Sequence, residues 1–334
     1  MPELTRISIV APCYNEEAVL GTSIPKLIQL LDDFVVHHGC APSSFAVLVD
    51  DGSRDSTWAI ISDAVERYPG RIHGIKLSCN AGHQSALLAG LTYVTGCCDA
   101  VISIDADLQD DLNALPLMLE EFRAGAEIVL GVKTARDADP LFKKMTAALF
   151  YKGMRWLGVD LVENHADCRL MSSKALENLA KFGERVLFLR GLQPLLHGKI
   201  KTVSYGISPR LAGESKYPLK KMLALAWNGV TSFSVTPLRV ISWLGGGVFF
   251  VSFLFSLHAF FSVVQGEALP GWASVTIPLY LLGGAIMLAV GIVGEYVGKI
   301  YVEVKGRPRY LIDAVVARDV GGVTENDASL RGGK

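Results

Sequence analysis

Val101-Ile102-Ser103-Ile104-Asp105-Ala106-Asp107-Leu108-Gln109-Asp110 is a short apolar run that breaks off into two carboxylates one residue apart. The run has the length and content of a buried strand over 100–104. In an extended chain, side chains at i and i+2 point the same way. Asp105 and Asp107 are therefore expected to project together from the strand end. Two hard oxygen ligands on one side suit a Mg²⁺ or Mn²⁺ ion that keeps waters and shares phosphate oxygens with a substrate. Asp-x-Asp is also a common way to end a strand in solvent, so the pair needs support from the rest of the chain.

That support comes from the flanking pattern. Strands are expected at 7–11, 45–49, 72–77, 100–104 and 127–132, and helices at 18–36, from Asp55 to about 67, after Gly82 to about 94, and at 112–123. Asp55 is placed to cap its helix. Strand–helix alternation with short connections implies a mostly parallel, doubly wound sheet, in which ligands bind beyond the carboxyl ends of the strands. Polar motifs follow the first four strands, so they should converge on one edge. Further on, helices are expected at 142–157 and 188–196, a mixed polar and apolar segment at 166–171, and a strand at 200–205.

Half of the 334 residues are hydrophobic and the mean hydropathy is +0.34, too apolar for an ordinary soluble enzyme. The excess lies after about residue 240. Segments 240–264 and 275–293 carry no Asp, Glu, Lys or Arg, and each is long enough at about 1.5 Å per residue to cross a hydrocarbon core of about 30 Å. Two transmembrane helices are expected, preceded by an interfacial helix at 218–235 that starts with Lys220 and Lys221. The loop 265–273 lacks Lys and Arg, whereas both outer flanks carry them. The positive-inside rule then puts the preceding α/β domain and both termini in the cytoplasm, and a multi-pass protein of the inner (cytoplasmic) membrane is expected.

The net charge of −1 argues against a nucleic-acid partner. The six cysteines lack zinc-like C-x-x-C spacing and read as free, reduced thiols. Residues 1–6 are polar and lead straight into a strand, so no secretory leader is expected. The tail after about Arg318 is Gly-rich and polar and reads as disordered.

Six motifs occur in order: Pro12-x-Tyr14-Asn15-Glu16, Asp50-Asp51-Gly52-Ser53, Asn80-x-Gly82, Asp105-Ala106-Asp107-Leu108-Gln109, Asp167-x-Arg169-Leu170-Met171 and Arg210-x-x-Gly213-x-Ser215-Lys216-Tyr217. Together they resemble family 2 glycosyltransferases of the GT-A fold, in the polyprenyl-phosphate subgroup that includes dolichol-phosphate mannose synthases and bactoprenol glucosyltransferases. Gly294-Glu295-Tyr296-Val297-Gly298-Lys299-Ile300-Tyr301 and Arg307-Pro308-x-Tyr310 are similar to the bactoprenol-linked members in particular. The likeness spans about 6–312.

The resemblance implies a fold and a set of roles. The fold is an α/β GT-A domain, Rossmann-like and mostly parallel, over 1–208. An acceptor loop and juxtamembrane helix follow over 209–238, two transmembrane helices over 239–298 and a cytosolic tail over 299–334. Pro12, Tyr14 and Glu16 match positions that hold base and ribose. Val49 and Asp51 match the wall and acceptor of the base site, and Asn80 and Gln109 stand in donor-binding motifs. Asp105, Ala106 and Asp107 match the metal and diphosphate site. Asp167 matches an acid near the acceptor, Arg210 and Lys216 match cations for the diphosphate and lipid phosphate, and Lys133 stands where relatives have Arg.

Asp110-Asp111-Leu112 replaces a proline found soon after the glutamine in relatives, so a changed helix start is expected. The implied reaction is inverting, metal-dependent transfer of a sugar from a nucleotide-diphosphate sugar to a polyprenyl phosphate. The implied assembly is a homo-oligomer, by analogy a tetramer. Phe150-Tyr151-Lys152 and Thr231-Ser232-Phe233-Ser234 favour glucose from UDP-glucose. An aminoarabinose derivative, mannose or an N-acetylhexosamine are the alternatives. A non-catalytic nucleotide-sugar binding protein is the rival from another class. A processive polysaccharide synthase is disfavoured, because no Gln-x-x-Arg-Trp motif is present.

Overall fold

The computed structural model describes residues 4–133, 165–183, 198–206 and 272–318, with scattered helical positions between 238 and 254. Among the described residues the strands form one eight-stranded sheet, in the order β7-β5-β6-β4-β1-β2-β3-β8. The strands are β1 Ile7–Cys13, β2 Phe45–Asp50, β3 Ile72–Leu77, β4 Ala100–Ser103, β5 Ile128–Lys133, β6 His165–Ser172, β7 Ile200–Tyr205 and β8 Ile312–Val316. The helices beside them are α1 Glu17–His37, α2 Thr57–Arg67, α3 His83–Val94, α4 Ala114–Arg123 and α5 Ser173–Ala180.

β4, β1, β2 and β3 pair in parallel, as the alternation required. Every residue of β1 and of β2 is buried. Continuous apolar runs of this kind suit a parallel sheet covered on both faces. On one face Ile7, Ile9, Ala11 and Cys13 join a core with Leu20, Ile24, Leu27, Leu31 and Phe34 of α1. These α1 positions recur at helical spacing and make its buried stripe. On the other face α3 packs on β1 and β2. The approach is close at Gly90, where an added Cβ would lie 2.4 Å from Val10 Cγ1 and 2.9 Å from Val49 Cγ2.

The expectation of a mostly parallel sheet needs correction on its flanks. β6 inserts between β4 and β5 and runs antiparallel to both. It is the segment read as merely mixed, and its periodicity was hidden by Arg169, which is almost fully buried. β8 pairs antiparallel with β3 at the far edge. The sequence reading left these residues in the tail, because an edge strand only partly covered on each face shows little alternation. Ser78 N donates to Leu311 O at 2.9 Å and Arg309 Nη2 to Phe182 O at 2.7 Å, so residues 309–316 belong to the same unit as the sheet.

A second unit holds the helical positions between 238 and 254 and α6, Trp272–Lys305. α6 runs through the expected span 275–293. Val275, Leu279, Ile286, Met287, Val290 and Val293 are all exposed along it. Within α6, Ala285–Lys305 is long and apolar enough to cross a membrane. The expected span 240–264 falls largely outside the described residues. The helices expected at 142–157, 188–196 and 218–235, and the disorder expected after 318, also lie outside them.

Gly90 offers a test of the packing. Glycine to alanine inside a helix ordinarily gains about 1 kcal/mol. Here the new methyl must displace buried valines, and overpacking costs about 1–3 kcal/mol. Gly90→Ala is therefore expected to lower the thermal unfolding midpoint, and an unchanged or raised midpoint would contradict the tight α3 contact.

Candidate active site

The loops at the carboxyl ends of β1, β2 and β3 are stitched to one another by backbone N–H groups that the helix starts leave open. After β1, Asn15 adopts a left-handed φ of 55°, which asparagine tolerates better than most residues. Its N–H donates to Ser53 Oγ at 2.9 Å, and its side-chain oxygen accepts from Arg54 N at 2.9 Å. Glu16 N donates to Thr57 Oγ1 at 2.8 Å. Asp55 accepts from Thr57 N at 3.0 Å and from Glu17 N at 3.2 Å, so the expected cap serves the start of α1 as well as α2. Glu17 Oε2 returns the favour by accepting from Ser56 N at 3.0 Å.

Asp51 ties three loops together. Its N–H donates to Cys13 O at 2.8 Å. Its carboxylate accepts from Ala81 N at 2.7 Å and Gly82 N at 3.0 Å, at the entry to α3. Burial raises the Asp51 carboxyl above the ordinary range, and the two N–H bonds oppose that rise. Gly52 follows with φ of +66°, and a Cβ there would sit 2.5 Å from Cys79 C and 2.6 Å from Asn80 N. Glycine is required on both counts.

The acid pair is not held as the sequence suggested. β4 ends at Ser103, and Asp105–Leu108 is a turn instead of extended strand. Leu108 N donates to Asp105 O at 3.1 Å, and Leu108 has a φ of 49°. Asp107 Oδ1 accepts from Gln109 N at 3.2 Å. The turn, and not an i, i+2 alternation, brings Asp105 and Asp107 to one wall. Beyond it Asp111 Oδ1 accepts from Asn113 N at 3.0 Å, and α4 starts at Ala114, two residues later than the expected 112.

These loops enclose a cleft of about 300 Å³ lined by Pro12, Cys13, Tyr14, Glu16, Asp51, Asn80, Gly82, His83, Asp105, Ala106 and Asp107. Its charge is lopsided. Burial and then the charges of Asp107, Asp105 and Asp55 hold the Glu16 carboxyl above its usual range. His83 Nε2 stands 3.8 Å from Asp105 Oδ1. Among the described residues no three His, Cys, Asp or Glu side chains are grouped to hold a metal ion by themselves. A cation at Asp105 and Asp107 would complete its shell with water and substrate oxygens, as Mg²⁺ commonly does.

Eight of the residues singled out from the sequence line this cleft: Pro12, Tyr14, Glu16, Asp51, Asn80, Asp105, Ala106 and Asp107. Val49 does not; it is fully buried in β2 as the sheet neighbour of Pro12. Gln109 is exposed beyond the acid turn and is not part of the lining. The side chains of Lys133 and Asp167 lie outside the described residues, as do Arg210 and Lys216 entirely. The sequence reading passed over Cys13, Gly82 and His83 as site residues, although the proximity of His83 to Asn80-x-Gly82 at a helix start was available as a signal.

Residues 8–180 match the model of the family described as "Glycosyl transferase family 2". An uncharacterized glycosyltransferase of Bacillus subtilis (strain 168), YkoT, is 46% identical over 307 residues, covering 92% of this chain and 91% of that protein. The bactoprenol glucosyl transferase of Shigella phage SfX is 37% identical over 310 residues, covering 92% and 98%. Among solved structures, glucosyl-3-phosphoglycerate synthase from Mycobacterium tuberculosis in complex with Mn²⁺, UDP-glucose and phosphoglyceric acid is 19% identical, with a TM-score of 0.46 over 68% of this chain and 78% of that one.

The thiols test the burial of this region. All six cysteines are free; Cys79 and Cys97 are exposed and the other four buried. Burial pushes the Cys98 thiol up to about 12, and burial with the charges of Glu16 and Asp50 pushes Cys13 up as well. A raised pKa means less thiolate at any lower pH, about one part in ten thousand for Cys98 at pH 8. Iodoacetamide at pH 8 is expected to alkylate Cys79 and Cys97 in the native protein and all six after unfolding, as counted by mass spectrometry. Labelling of native Cys13 or Cys98 at the rate of Cys79 would contradict the packing.

Proposed function

The chain belongs to glycosyl transferase family 2, and from that membership we propose that it transfers glucose from UDP-glucose to the phosphate of a polyprenyl-phosphate lipid at the cytoplasmic face of the membrane, with inversion at the sugar carbon. Glycosyl transfer is the chemistry of the family, and the protein is a glycosyltransferase. The observation that carries the finer reading is the convergence of four strand-end motifs on one cleft, with Asp105 and Asp107 turned into it. The near full-length likeness to a bactoprenol glucosyl transferase supports the lipid acceptor and the sugar.

In this reading Pro12, Tyr14 and Asp51 receive the base and ribose, with Val49 backing Pro12 from the sheet and Asn80 closing the α3 side. Asp105 and Asp107 hold Mg²⁺ or Mn²⁺. The fit rests on their hard carboxylate oxygens and on the crowding of negative charge that raises Glu16, which a cation relieves. The ion, when bound, neutralises the leaving diphosphate. A lipid phosphate oxygen attacks the sugar carbon from the side opposite the nucleotide, the new C–O bond forms, and the nucleoside diphosphate leaves with the electrons of the old one. A phosphate monoester has a second pKa of about 6, so the acceptor is largely a dianion at pH 7 and needs little help from a base.

Asp167 is assigned to positioning the acceptor. Arg210 and Lys216 hold the anionic lipid head against the anionic donor, and Lys133 and Gln109 assist at the diphosphate end. The catalytic unit comprises 1–208 with the edge strand β8 joined to it, and the spans 240–264 and 275–293 anchor it beside a lipid that cannot leave the bilayer cheaply. α6 is the observation that supports this anchoring. Both termini are cytoplasmic, and the protein is a homo-oligomer in the inner membrane.

Full-length protein in detergent, given undecaprenyl phosphate, Mg²⁺ or Mn²⁺ and radiolabelled UDP-glucose, is expected to move label into the lipid fraction. Asp107→Asn should reduce the rate at least about a hundredfold, and chelation of the metal should abolish transfer. Label arriving from GDP-mannose, a UDP-N-acetylhexosamine or a nucleotide-linked aminoarabinose instead would change the donor and keep the reaction. Nucleotide binding without transfer from any donor would sink the proposal.

A further inference from the structure

We propose that His83 binds the substrate directly, as a hydrogen-bond donor to the diphosphate of the nucleotide sugar; the inference rests on the reading of the cleft as a nucleotide-diphosphate site. Glu16, Asp51, Asp105 and Asp107 give the cleft four carboxylates, and His83 is its one basic side chain among the described residues. A diphosphate entering among four carboxylates brings more negative charge than one divalent cation can offset. An N–H donor on the cleft wall itself therefore adds to the cations assigned to Lys133, Arg210 and Lys216.

His83 supplies one at the right end of the cleft. It is the first residue of α3, where the helix dipole favours an anion. Its ring is 44% exposed, and Nε2 lies 3.8 Å from Asp105 Oδ1. That separation is too long for a hydrogen bond between the two. It is short enough that a phosphate drawn to the Asp105 end of the cleft meets the ring. The entry to α3 does not drift, because Asp51 grips Gly82 N at 3.0 Å. A neutral imidazole keeps one ring N–H, so in the Nε2–H tautomer the contact does not require a charged ring.

The test compares ligands with and without phosphate. Wild type, His83→Ala and His83→Gln are titrated with UDP and with uridine, in EDTA and in parallel with Mn²⁺. His83→Ala is expected to weaken UDP about tenfold, the size of one charge-assisted hydrogen bond, and to leave uridine unchanged. His83→Gln keeps an N–H near the Nε2 position and should recover most of the UDP affinity. An equal loss for uridine and UDP would mark a distorted cleft and overturn the inference, as would unchanged UDP binding in His83→Ala. Binding of neither ligand by wild type under either condition would remove the nucleotide reading itself, and the inference with it.

Discussion

The carboxylate of Asp51 is the contact on which the site's geometry depends. A strand-end loop has backbone groups to satisfy and few neighbours to satisfy them. Asp51 solves this for three loops at once, donating its own N–H to Cys13 and accepting from Ala81 and Gly82. The cost is a buried acid, visible in the upward shift that burial imposes on its carboxyl. The gain is that the ends of β1, β2 and β3 form one surface. Gly52 makes that possible, since the loop after β3 lies where its Cβ would be.

A similar logic governs the neighbouring loops. Asn15, Asp55, Thr57 and Glu17 exchange hydrogen bonds between the starts of α1 and α2, so N–H groups that would otherwise need water are closed within the protein. The wall that carries Glu16 is therefore cross-linked by hydrogen bonds although it is built from loop. Opposite it, the turn at Asp105–Leu108 brings further acids within range of Glu16. Their charge adds to burial in holding the Glu16 carboxyl above its usual range. A cleft built to hold them is complementary to a cation and, through it, to an anionic ligand.

The fold supplies the breadth that the cleft needs. The parallel strands β4, β1, β2 and β3 aim four loops at one edge. The antiparallel β6 widens the sheet beside β4 and carries Asp167 and Arg169, and Arg169 lies opposite Ser103, the last residue before the acid turn. β8 closes the far edge against β3, which leaves a short, partly covered edge strand there instead of a fully buried one.

Much of the sheet could be read from the chain. The buried runs of β1, β2, β3 and β4 and the helical stripes between them are local patterns, set by residue spacing alone, and their parallel order follows from alternation and short connections. The acid pair was legible for the same reason, and the shared edge of the motifs followed from the alternation. The antiparallel β6 and the edge strand β8 were not, because pairing partners far apart in the chain decide them; Leu77 meets Ile312 across the full length of the domain. The turn at Asp105 and the removal of Val49 and Gln109 from the cleft wall were likewise matters of packing. His83 shows the division most clearly: its place after Asn80-x-Gly82 is sequence, but its approach to Asp105 exists only because α3 packs on β1 and β2 and so carries its first turn to the end of β4. The sequence by itself determined the strand and helix order and the chemistry available at each strand end, since both are local. Only the tertiary structure decided which of those groups share a cleft, since that depends on long-range packing and on where each backbone N–H finds its acceptor.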